Sequence, residues 1–270
     1  MKTNKLILPT AAIALLLLIT ITGCITDPAK PTNNKINKEY NINYTENNSI
    51  VKTSFKTGDI YNYETTITNQ TGEINTFPLV NTFQTDESIA TTIETTYNVT
   101  EIGKIDEKDV YIVAKNNTQN PELEILYYFD KETGKLLQLK EIIPNQRFTL
   151  KGDRALLESM KSEAMIFEDW MLALTDNFNW KRTIDLGQEG LKIIINYEVV
   201  GTEKIGNREC YKVERKIMSE AIYEQMNGDI TQVPNEQVLK STIWVDKNER
   251  IMVKSQSKVG DIVMKSVLIE

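Results

Sequence analysis

Apolar and polar residues alternate along most of the chain from Val51 onward. Tyr61, Tyr63, Thr65 and Ile67 alternate with Asn62, Glu64, Thr66 and Thr68. Ile89, Thr91, Ile93, Thr95, Tyr97 and Val99 do the same against Ser88, Ala90, Thr92, Glu94, Thr96 and Asn98. A period of two in β-branched and aromatic residues predicts half-buried antiparallel strands. Residues 124–130 and 135–143 flank Lys131-Glu132-Thr133-Gly134, a hairpin turn with Gly placed for a positive φ. Residues 243–246, a Lys247-Asn248-Glu249 turn, residues 251–257, a Gly260-Asp261 turn and residues 262–269 extend the pattern to the end of the chain.

One stretch breaks the alternation. Leu157, Met160, Ala164, Phe167, Met171, Leu174 and Phe178 recur every three or four residues, which predicts a helix over 153–177 with Asp153 as its N-cap. Met165 and Leu172 lie off this stripe, so the helix is expected to be covered on both sides. A repeat also shows at an offset of 100 residues. Tyr97, Val99, Lys104, Ile105, Tyr111 and Val113 match Tyr197, Val199, Lys204, Ile205, Tyr211 and Val213. Phe129-Asp130-Lys131 and Val245-Asp246-Lys247 correspond after an insertion. The pattern fits a duplicated β-unit, and equally two meanders obeying the same strand and turn rules. The expected fold is mainly β (α+β), with about ten or eleven strands. They form a large curved antiparallel sheet or half-open β-barrel, with one long central helix on its concave face.

Upstream, Lys2 and Lys5 precede an apolar run from Leu6 to Thr22 that contains Pro9, too short for a comfortable membrane span. The run ends in Ile21-Thr22-Gly23-Cys24, which resembles the lipobox of bacterial and archaeal lipoproteins. That resemblance implies a signal peptide over 1–23, cleavage between Gly23 and Cys24, and a lipid on the Cys24 sulfur. The protein is then expected on the extracytoplasmic side of the cell membrane. Residues 24–50, rich in Asn, Lys and Thr with Pro28 and Pro31, read as a flexible tether. Residues 51–270 are expected to form a single β-rich domain.

Composition narrows the chemistry. The sequence has no His, which removes His-based triads, His-containing zinc sites and a neutral-pH His switch. Its net charge of −7 gives no electrostatic reason to bind nucleic acid, and losing Lys2 and Lys5 would make it more negative still. Beyond Cys24 the only thiol is Cys210, on the face of its strand opposite Tyr211 and Val213, where it matches Val110 as a packing residue. No glycine pattern for phosphate binding, no nucleophile elbow and no calcium loop is present. No catalytic residue, metal site or cofactor is expected. A pair of carboxylates acting on a glycoside is the enzyme reading left open. Five glycosylation sequons, at Asn43, Asn47, Asn69, Asn98 and Asn116, are no more than this Asn- and Thr-rich composition produces by chance.

Ile243-Trp244-Val245-Asp246-Lys247 with its following meander, and Tyr128-Phe129-Asp130-Lys131 as a second copy, resemble the periplasmic lipoprotein-carrier group and its lipid-binding lipoprotein relatives. The carriers lack a lipidated Cys, so the anchored relatives fit better. The resemblance implies a half-open barrel around a hydrophobic cavity. Met160, Met165, Phe167, Trp170, Met171 and Leu172 are the residues expected to line it. The leading expectation is a membrane-tethered, non-catalytic domain holding a lipid or other amphiphile between sheet and helix. The alternatives are an interaction lipoprotein with a solid core and an unidentified protein partner, and a carboxylate hydrolase.

Overall fold

The computed structural model describes residues 55–69, 90–160, 165–186, 191–224, 230–233, 238–259 and 262–269. All of them belong to one unit, residues 49–73 and 85–270. The leader, Cys24, the tether, Asn43 and Asn47 lie outside the described residues, as do the side chains of Asn69 and Met160.

The alternating stretches are strands: β1 (Ile60–Asn69), β2 (Ala90–Ile105), β3 (Lys108–Asn117), β4 (Glu124–Asp130), β5 (Leu136–Ile143), β6 (Gln146–Lys151), β7 (Asn179–Leu186), β8 (Leu191–Ile205), β9 (Arg208–Glu224), β10 (Ile230–Val233), β11 (Val238–Asp246), β12 (Met252–Val259) and β13 (Ile262–Ile269). All belong to one antiparallel sheet in the order β6-β5-β4-β3-β2-β1-β13-β12-β11-β9-β8-β7, with β10 hydrogen-bonded to β9. β6 and β7 end this path, so the sheet is open rather than a closed barrel.

The repeat at 100 residues is structural. The β2–β3 ladder shifts register between Val99 and Glu101, and the β8–β9 ladder between Val199 and Gly201. The β4–β5 ladder shifts between Tyr128 and Phe129, and the β11–β12 ladder between Trp244 and Val245. Val99 N donates to Asp59 O just before β1, and Val199 N to Phe178 O just before β7, both at 2.9 Å. Strands β1 to β6 therefore correspond to β7, β8, β9, β11, β12 and β13. The pairing of β1 with β13 joins the first strand of one repeat to the last strand of the other. The equivalent pairing, β7 with β6, is not made. Within the 27-residue link from β6 to β7, residues 165–172 lie buried against the sheet.

The two turns that open the equivalent hairpins share one design. Asp130 Oδ1 accepts from Glu132 N at 2.9 Å and Thr133 N at 3.0 Å, and Asp246 Oδ1 from Asn248 N at 2.7 Å and Glu249 N at 2.8 Å. The other oxygen of each faces a cation at matching positions, Lys108 at 3.4 Å and Arg208 at 3.3 Å. Burial works to raise the Asp130 pKa, but the two backbone N–H groups and Lys108 outweigh it and hold the carboxyl below its ordinary value. A carboxyl with a depressed folded-state pKa contributes stability above about pH 4 and loses it as the pH falls through the folded value. The stability advantage of wild type over Asp130→Asn is accordingly expected to shrink between pH 6 and pH 2.5 in thermal unfolding. An advantage unchanged over that range would contradict this account.

The linking segment corrects the expected helix. Among the described residues of the segment only Asp153–Met160 is α-helical (α1), and a short 3-10 helix follows at Asp169–Ala173. Asp153 is not the N-cap either. Leu156 N donates to Gly152 O at 3.1 Å, which places Asp153 one position inside the helix. The cause is burial on all sides. Every residue from Met165 to Leu172 is buried, including Glu168 and Asp169, whereas a helix at a sheet surface keeps one face in water. The segment runs as an irregular strap along the concave face and buries these consecutive side chains.

The strap also shows that the sheet curls. Phe167 packs edge-on against Phe129 of β4, with ring centres 5.4 Å apart, while Asp169 forms an ion pair with Arg182 of β7. In a flat sheet β4 and β7 would lie nine strand spacings, roughly 43 Å, apart. Two residues add only about 7 Å of chain. The open sheet therefore curves, so that β4 and β7 approach each other across the strap. Gly134 is needed at the point of closest approach: its φ is +70°, and a Cβ there would lie 2.8 Å from Phe167 and 2.9 Å from Leu172.

Candidate functional site

The concave face has two zones. The first is apolar, formed by Tyr63, Tyr97, Val99, Val113, Tyr127, Phe129, Leu139, Ile184, Ile195, Val213, Ile243 and Met252 under the strap. Of the residues expected to line a cavity, Met165, Phe167, Trp170, Met171 and Leu172 all join this cluster, with at most 6% of their surface exposed. They fill the trough rather than line an empty one. A cleft of about 350 Å³ does exist, but it is polar and sits at the turn end of the second repeat, lined by Asn207, Arg208, Glu209, Asp246, Asn248 and Glu249.

The second zone is a band of buried polar side chains on the same face. Lys115 pairs in register with Tyr97, and Arg215 with Tyr197, at equivalent places in the two repeats. Thr95, Thr65, Ser266, Ser255 and Ser241 lie on the strands between them. Each of the seven is buried. Some are paired across strands: Thr65 and Ser266 hydroxyls are 2.7 Å apart, and Arg215 Nε donates to Ser241 Oγ at 2.9 Å. Thr95 Oγ1 has no hydrogen-bond partner. A buried polar group is stable when paired and costly when not, so the cost of this band falls on its unpaired atoms, Thr95 Oγ1 and Arg215 Nη1.

The strap brings charge to the Arg215 end. Tyr197 Oη donates to Glu168 Oε2 at 3.1 Å, and Glu168 Oε1 lies 3.6 Å from Arg215 Nη1, a charge contact beyond hydrogen-bond reach. Glu168 Oε1, Arg215 Nη1 and Trp170 Nε1 are buried without a hydrogen-bond partner. The Trp170 and Tyr197 rings lie 4.5 Å apart. Burial, reinforced by the Glu168 charge, pushes the Tyr197 hydroxyl well above its ordinary pKa, so it serves as a donor. Beside them Arg182 is held charged: burial opposes its cation and the Asp169 carboxylate outweighs that. Arg250 Nη1 donates to Leu174 O at 3.1 Å and closes the far end of the strap.

The other candidate residues lie elsewhere. Cys210 is fully buried with Trp244 and Val253 on the opposite face, as Val110 is with Ile112 and Tyr128. Burial first, and then the Asp246 charge, raise its thiol pKa to about 11, which leaves it a poor nucleophile at neutral pH. Asn98 is half-buried on β2 and Asn116 is exposed on β3. Among the described residues no group of three His, Cys, Asp or Glu is placed to hold a metal ion, and no helix is long and apolar enough to cross a membrane. The sequence pattern does not single out Lys115 or Arg215, although each lies one alternation beyond Val113 or Val213 on the inward side. The signal lay in following each alternation one step further.

No protein-family model and no curated protein matches the chain. Among solved structures the chain is similar to the hypothetical lipoprotein YmcC from Escherichia coli, at 13% identity and a TM-score of 0.34 over 79% of this chain and 88% of that one. It is also similar to the lipoprotein LppX from Mycobacterium tuberculosis, at 11% identity and a TM-score of 0.29 over 78% of this chain and 85% of that one. LprF from Mycobacterium bovis matches at 9% identity and a TM-score of 0.26, over 79% and 85% of the two chains. Likeness at this level decides neither family nor function.

Proposed function

We propose that the chain is a non-catalytic protein anchored to the extracytoplasmic face of the cell membrane by a lipid on Cys24. Its half-open sheet holds an amphiphile between the concave face and the strap. The supporting observation is the pairing of two zones on one face, an apolar trough beside a buried band of hydroxyls and cations. An amphiphile presents the same two chemistries, a tail for the trough and a polar group for the band. The strap suits this role. It has little regular structure, its Met165 and Met171 side chains are deformable, and polar contacts at Asp169, Glu168 and Leu174 O tie it down. An acyl chain takes the place of strap side chains, and the strap closes over it.

The mature chain, residues 24–270 produced without leader or lipid, is expected to carry about one lipid per chain in native mass spectrometry and to bind the neutral dye Nile red saturably. A clean spectrum with no dye binding would sink the proposal. It would favour a solid-core lipoprotein acting through its outer surface.

A further inference from the structure

The Glu168–Arg215 contact has the character of a site filled by a substitute. Arg215 is 4% exposed and Glu168 2%, so both charges are out of water and each needs a good partner. They do not make one. Their nearest oxygen and nitrogen are 3.6 Å apart, and both atoms lack a hydrogen bond. A well-made Arg–carboxylate pair is bidentate at about 2.8 Å. Arg215 is fixed from behind by the bond of its Nε to Ser241, Tyr197 Oη points its proton at the same spot, and Trp170 Nε1 is a further unpaired donor on the strap. Glu168, by contrast, is not part of the repeated sheet. It arrives on the segment that links β6 to β7.

We infer that the Arg215–Tyr197 pair is an anion site for the head group of a bound amphiphile, and that Glu168 competes with the head group for it. The inference rests on the amphiphile reading above and adds the class of ligand: a carboxylate, phosphate or sulfate head on an apolar tail. The incoming anion takes the two donors from Glu168. Because Glu168 is carried by the strap, its release frees the strap over the trough where the tail must enter. Ile166 O, accepting from Met252 N at 2.8 Å, holds the strap before Glu168, and Arg182–Asp169 and Arg250–Leu174 hold it beyond.

The test uses the mature chain, residues 24–270, titrated with laurate, with dodecanol and with acetate or inorganic phosphate, followed by tryptophan fluorescence and by the shift in Tm. Laurate carries charge and tail, dodecanol the tail alone, and the small anions the charge alone. Laurate is expected to bind about tenfold or more tightly than dodecanol. Glu168→Gln removes the internal competitor. It should lower the Tm of the empty protein, strengthen laurate binding about tenfold and leave dodecanol unchanged. Arg215→Met should abolish the preference for laurate, and Arg215→Lys should retain part of it. The gain in Glu168→Gln guards against misfolding as the explanation, since an unfolded chain does not bind more tightly. Equal binding of laurate and dodecanol, insensitive to both variants, overturns the anion site and leaves the amphiphile reading standing. Binding of neither overturns the amphiphile reading itself. Acetate or phosphate binding as tightly as laurate, and lost in Arg215→Met, confirms the anion site and assigns it to a free anion, which overturns the head-group assignment.

Discussion

Replacing Cys24 by Ser is expected to strip the protein of its lipid and move it from the membrane to the soluble fraction of the envelope. A hydroxyl is a far weaker nucleophile than a thiol at neutral pH, so the substitution removes the acceptor with the least possible change in shape. The effect is expected to be close to all-or-none, because the leader run is short and interrupted by Pro9 and so makes a poor permanent anchor. Lipid carried on one residue would supply the affinity, at about 0.8 kcal/mol per buried methylene. Fractionation with intact-mass measurement checks the claim. Wild type should carry the added mass of acyl chains and pellet with membranes, and Cys24→Ser should do neither. A variant that stays in the membrane with an uncleaved leader would show instead that residues 1–23 are a permanent anchor.

The second large effect is expected at Phe167, where Phe167→Ala should cost about 3–5 kcal/mol. The side chain is fully buried, with its ring edge-on to Phe55 and Phe129 at 5.4 Å each, and it rests against Gly134. Truncation loses the transfer free energy of the ring and leaves a cavity whose walls come from separate parts of the chain, so collapse around it is restricted. That cost is a large part of the roughly 5–15 kcal/mol that stabilises an ordinary domain. Denaturant unfolding of residues 24–270 measures it. Phe148→Ala is the control: Phe148 lies on edge strand β6 with 47% of its surface exposed, and its loss should change stability by no more than about 0.5 kcal/mol. If the two variants cost the same, the strap is not part of the core.

Strands and turns were legible because their causes are local. Tyr61 to Thr68 alternate because a pleated chain sends successive side chains to opposite faces, and that holds whatever the sheet does next. Asp130 and Asp246 head their turns because a short carboxylate reaches the N–H groups two and three residues ahead. The offset of 100 was visible for the same reason, although sequence alone left duplication and coincidence even. Matching bulges and matching Asp–cation pairs favour duplication.

The helical spacing of residues 157–178 is not matched by a continuous helix among the described residues. A spacing of three and four marks one apolar side only when the other side is polar and wet. In residues 165–172 both are buried, so the spacing carried no information about hydrogen bonding between turns. The candidate site was hidden for a different reason. Arg215 is unremarkable on β9 and Glu168 unremarkable on the strap; neither carries a signal that the other is near.

The sequence by itself therefore determined an address, a set of strands with their turns, a faint doubling and the absence of imidazole chemistry. Each of these depends on residue types or on neighbours a few positions apart. Only the tertiary structure decided that the sheet stays open between β6 and β7, that it curls until β4 faces β7 across Phe167 and Asp169, and that two buried cations share one concave face with a row of hydroxyls. Those outcomes depend on which distant strands pair and on what the 27 linking residues must bury, and no window of the sequence contains both partners.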